Sequence, residues 1–97
     1  MHAVVVIVNI DLQGDMEAGL KDLNEKVVPM VKQSPGFVSG VWLAPDEQGK
    51  ALSIVTLDNE DNAKAAASMA QQSFDSGRNP PGVTLSSIEV RQVAASA

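Results

Sequence analysis

A chain of 97 residues with 44% hydrophobic side chains has the size and composition of one globular domain, 1–97, with a single core. The absence of cysteine removes disulfides, iron–sulfur clusters, thiolate zinc sites and cysteine nucleophiles, and the single histidine, His2, rules out a two-histidine metal site within one chain. A net charge of −5 with no basic stripe disfavours nucleic acid and anionic membrane surfaces as partners.

The run His2–Ile10 (HAVVVIVNI) is β-branched and apolar on both alternating faces, Val4, Val6, Val8 and Ile10 on one and Ala3, Val5 and Ile7 on the other. It reads as a strand buried on both sides. Its apolar stretch, Ala3 to Val8, is far too short to span a bilayer and lacks the basic start of a secretion signal, so a cytoplasmic location is expected. After a polar turn at 11–14, Asp15 is the expected helix cap. Met16, Leu20, Leu23, Val27 and Val31 then form one apolar stripe on a helix, with Glu17–Lys21 and Asp22–Lys26 at pairing distance on its outer side. Pro29 should kink or confine the last turn, and Pro35-Gly36 ends the element.

A second strand is expected from Phe37 to Ala44 and a third from Lys50 to Leu57. The loop 45–49 joins them, with Gly49 at its positive-φ position. Asp58 or Asn59 caps a second helix whose inner face is made of small residues: Ala63, Ala66, Ala67 and Ala70, with Met69 and Phe74. A loop at 75–82 leads to a fourth strand, Val83–Val93, which ends in alternation: Ser87, Glu89 and Arg91 against Ile88 and Val90.

The element order is βαββαβ, which makes an α+β, ferredoxin-like four-stranded antiparallel sheet with both helices on one face and the first and third strands in the middle. Those middle strands are apolar on both sides, yet the chain supplies helices for only one. A second copy packed sheet to sheet is the simplest cover, so a homodimer is expected.

Several segments also resemble the dimeric α+β barrel superfamily, which includes the antibiotic-biosynthesis-monooxygenase-like proteins. They are the first-strand run HAVVVIVNI, Pro35-Gly36-Phe37, Gly40-Val41-Trp42, and the acidic stretch from Asp58 to Asp61 that leads into an Ala-rich helix. The resemblance implies a homodimer with a small pocket between helices and sheet in each subunit. It also implies activities ranging from cofactor-free oxygenation of polyphenols or quinols to haem degradation. The haem-degrading pattern carries a tryptophan on the third strand and a histidine on the second helix. This chain has neither, so no cofactor is expected.

Three residues are candidates for the site. Asn9, the amide in an apolar strand, resembles a strand-one asparagine of the haem-degrading relatives and is the candidate catalytic residue. Alternatively it is a strand-end amide satisfied by the following turn. Trp42 offers a stacking wall for a flat ligand, or fills the core or the dimer interface. Arg78 offers a clamp for an anionic ligand, or is solvated. His2 reads as a spectator at a mobile terminus. Asp58, Glu60 and Asp61 suit a helix N-terminus better than a metal, so no metal site is expected. There is no G-x-S-x-G elbow and no phosphate-binding glycine loop. The readings left are a cofactor-independent monooxygenase acting on a small aromatic or quinol-like substrate, a non-catalytic dimer that binds a small apolar ligand or serves as a stress-responsive barrel protein, and, behind these, a regulatory or partner-docking module.

Overall fold

The structure is a computed structural model and describes residues 1–14, 16–77 and 82–97. The elements are β1 (His2–Ile10), α1 (Met16–Asp22), a π-helical turn (Leu23–Val27), α2 (Val28–Lys32), β2 (Phe37–Trp42), β3 (Lys50–Leu57), α3 (Glu60–Asp75) and β4 (Val83–Gln92). The sheet is antiparallel in the order β2-β3-β1-β4, so the two strands with doubly apolar faces are the central ones, as the ferredoxin-like reading requires. The expected cap at Asp15 lies outside the described residues.

Cross-strand register sorts the side chains. Val4 faces Val55, Val6 faces Ser53 and Val8 faces Ala51, all on the helix side. Val5 opposite Ile54 and Ile7 opposite Leu52 fall on the other side, because successive strand residues alternate. There Val41 pairs with Ile54, and these two are 52% and 37% exposed. The register of β4 slips between Ile7 and Val8, a bulge at Ser86 that brings Leu85 and Val83 back beside Val8 and Ile10.

The core lies at one end of the helix side, where Val4, Val55, Leu57 and Ala63 are buried. Ala63, Ala66 and Ala67 let α3 sit close on the sheet. Its N-cap is Asn59, whose side chain accepts from the Asn62 amide at 2.8 Å.

The first helical layer is not one regular helix. Pro29 has no amide to donate, and its ring would crowd the carbonyl four residues back. The chain answers with a wide turn just before it, in which the Val28 amide donates to the Leu23 carbonyl, five residues back. The helix then runs on to Lys32 instead of ending at the proline.

Two loops clasp the end of β1. The Ile10 amide donates to the Gly49 carbonyl at 2.7 Å and the Asp11 amide to the Gly82 carbonyl at 2.8 Å; both glycines have positive φ. A side chain at Gly49 would strike the Ile10 carbonyl, which is why the 45–49 loop ends on glycine.

Candidate functional site

The two helical layers meet the sheet differently. The Ala-lined α3 lies against β1, β3 and β4, while α1 stands off every strand. Between that raised layer, α3 and the sheet is an open cavity of about 730 Å³, within the range of small-molecule sites. Its floor is Val4, Val6, Val8, Ser53 and Val55, and Trp42 forms one wall. The expected stripe of Met16, Leu20, Leu23, Val27 and Val31 lines its roof in full. Met30, Leu20 and Met69 line it while remaining about half exposed, at 53%, 49% and 55%. A second hollow of about 240 Å³ between the end of α3 and β4 is too small and shallow for such a ligand.

The charged groups stand at the rim. Asp22 and Lys26 form an i,i+4 ion pair at 2.9 Å, with the Lys26 side chain 76% exposed. The hydrogen bond and charge of Asp22 hold the Lys26 ammonium above its ordinary pKa. Among the described lining residues Lys26 is the only cation. On the floor the single polar side chain contributed by a strand is Ser53, between Val6 on β1 and Trp42 on β2.

Trp42 is half-buried, packed against the core and part of the cavity lining, with its indole lying along Gly40. A Cβ at Gly40 would come within 2.8 Å of the Trp42 Cη2, so glycine makes the room for the ring. Asn9 is placed otherwise than a pocket amide. It follows Val5 and Ile7 on the uncovered side of the sheet, is exposed, and does not line the cavity. Its carbonyl accepts from the Thr84 hydroxyl at 3.4 Å. Alternation along β1 decides this, since the helices cover the even-numbered residues. Arg78 lies outside the described residues.

His2 is held in the sheet. It is the first residue of β1, paired with Leu57 and Gln92, and its Nε2 is 3.5 Å from Glu60. It too is away from the cavity lining. Asp58 accepts from the Asn62 side chain at 2.8 Å, and Glu60 also meets Lys64 at 3.3 Å, in keeping with roles at the start of α3. Ser53 is excluded as a hydrolase nucleophile by the missing elbow; the signal for a cavity residue is a hydroxyl on the same strand face as Val55 and Leu57.

No family model matches the chain, and no curated protein matches it in sequence. In fold, the chain is similar to MhuD. A MhuD mutant crystallised with two manganese protoporphyrin IX molecules per active site superposes with a TM-score of 0.71 at 16% identity, over 100% of this chain and 98% of that one. The likeness covers the whole chain, and the ferredoxin-like α+β fold expected from the element order is the fold observed. No described helix is long and apolar enough to cross a membrane.

Proposed function

We propose that this chain forms a homodimeric α+β barrel and that each cavity takes a small aromatic or quinol-like molecule, which it oxygenates without a cofactor. The carrying observation is the cavity itself: about 730 Å³, apolar on floor and roof, walled by the only tryptophan. Such a volume left to water would strand apolar side chains, whereas a flat apolar guest covers them.

The chemistry asks little of the protein. An activated ring methylene loses a proton, and the carbanion gives its electrons to dioxygen. The sum is CH₂ plus O₂ to C=O plus water, which balances with no added reductant. The site supplies exclusion of water and orientation. Among the described residues two carboxylates line the cavity, Asp11 and Asp22; we assign the proton to Asp22, at the rim with its side chain 28% exposed and paired with Lys26. Purified protein given a panel of anthrones and quinols should consume oxygen in step with product. Asp22→Asn should slow that consumption by about 10²-fold or more. Absence of turnover across the panel overturns the oxygenase reading.

A porphyrin held by an axial side chain does not fit. The chain has no cysteine or tyrosine, and His2 is outside the cavity and engaged with Glu60. Met16, Met30 and Met69 line the space, but methionine serves haem iron beside histidine. No step is therefore assigned to haem.

The dimer rests on the uncovered face, where Val5, Ile7, Val41, Leu52 and Ile54 gather in the middle of the sheet. Asn9 sits on that same face and there becomes an interface amide instead of a catalytic one. Light scattering should give twice the chain mass, and Ile54→Glu should halve it by placing a charge in the contact. A single-chain mass for the unaltered protein overturns the assembly.

A second reading, ligand binding without catalysis, has its own support: the cavity floor carries no titratable group, and its one polar strand side chain is a serine. Tight binding of the same panel with no oxygen uptake would select it.

A further inference from the structure

The cavity floor contains one residue that packing alone does not account for. Ser53 lies in the middle of β3, flanked in register by Val6 and Trp42. Its neighbours on the same strand face are Ala51 and Val55, both buried. Serine is a poor choice for a central strand surrounded by β-branched and aromatic side chains. Its hydroxyl makes no hydrogen bond to another described residue, although the residue is half-buried and lines the cavity. The hydroxyl opens onto the cavity, where a hydrogen-bonding oxygen of a guest can take the place of water.

In the roof, α1 carries Gly19, also part of the lining, in a helix interior where glycine is unfavourable. A Cβ built there meets nothing within 4 Å. Floor and roof therefore each carry a residue that is unfavourable for its element, a hydroxyl in the one and open space at the other.

We propose that Ser53 is the anchor of a ligand site and that it selects flat apolar molecules carrying one hydrogen-bonding oxygen. The ligand places a phenolic hydroxyl or ring carbonyl at Ser53 Oγ and rests its ring on Trp42, the register neighbour of Ser53, with Gly19 leaving room in the roof. A serine hydroxyl both donates and accepts, so either oxygen type is served. The charged pair of Asp22 and Lys26 stands at the rim, with the Lys26 ammonium toward water, leaving the floor for the uncharged part of the molecule. This inference rests on the cavity reading above and sharpens it to a chemical class.

Two probes of nearly equal shape test it: 2-naphthol, and 2-methylnaphthalene, in which a methyl replaces the hydroxyl. Because Trp42 is the only tryptophan, its single indole N–H resonance follows binding in a titration. The native protein should bind naphthol about five-fold or more tightly than methylnaphthalene, the margin of one hydrogen bond. Ser53→Ala should lose that ratio while keeping its affinity for methylnaphthalene, and Ser53→Thr should keep the ratio. Gly19→Leu should abolish both titrations without lowering the melting temperature. An equal ratio in native protein and Ser53→Ala overturns the anchor and leaves the cavity reading standing. If neither probe shifts the resonance in native protein, the cavity reading falls and the anchor falls with it.

Discussion

The two helical layers of this protein lie on one sheet and do opposite things. α3 presents alanines and comes down onto Val4, Val55 and Leu57, making the dense part of the molecule. The layer of α1, the wide turn and α2 presents Met16, Leu20, Leu23 and Val27 and stays raised, making the hollow part. Small side chains bring backbones together and exclude guests; long ones hold backbones apart and, without a partner layer filling the gap, leave a site. Stability and ligand space are thus assigned to different segments of the chain.

The largest way to break this contrast is in the dense part. Leu57 is fully buried, and Leu57→Ala should cost about 2–5 kcal/mol in urea unfolding, enough to threaten the fold of a small domain. Next comes the point where the layers are tied together. Gly36, with φ of 75°, offers its carbonyl to the Asp58 amide at 2.8 Å, and a Cβ there would strike the Asp58 and Asn62 side chains. Gly36→Ala should cost more than about 1 kcal/mol by the same measurement, both from left-handed backbone and from displacing that pair. Leu20→Ala, at a half-exposed position in the raised layer, should cost about 1 kcal/mol or less while weakening ligand binding. If Leu20→Ala proves as damaging as Leu57→Ala, the division between the layers is wrong.

The smallest effect lies away from both layers. Asp46 accepts from the Lys50 and Gln48 amides, each at 2.9 Å, and those bonds, that of Lys50 first, hold its carboxyl below its ordinary value of 3.8. A depressed carboxylate stabilises the fold above its unfolded pKa, and the gain disappears as pH falls through the folded one. The stability difference between native protein and Asp46→Ala should therefore be constant near neutrality and shrink only below about pH 4.

Most of the fold was legible because it follows from alternation and spacing. Doubly apolar strands belong in the middle, an Ala stripe packs closely, and Gly49 and Asn59 announce a turn and a cap. The site was harder to read. Both faces of β1 are apolar, so nothing in the sequence tells which one the helices cover, and that choice alone separates Asn9 from the cavity. The wide turn before Pro29 is a compromise between a missing amide and a continuing apolar stripe; the stripe prevailed, which periodicity by itself does not reveal. His2 looked loose by its place at the terminus and is held by pairing on both sides. Ser53 became conspicuous only when the cavity gave its hydroxyl something to face.

The clasp at the end of β1 has a mechanical consequence. Gly49 and Gly82 pin the chain just before the raised layer begins, and the bond from the Asp58 amide to Gly36 pins it just after the layer ends. The roof of the cavity is therefore a beam supported at both ends, not a door on one hinge. The wide turn falls within that span, where the regular ladder of hydrogen bonds is interrupted, so any bend of the beam is expected there first.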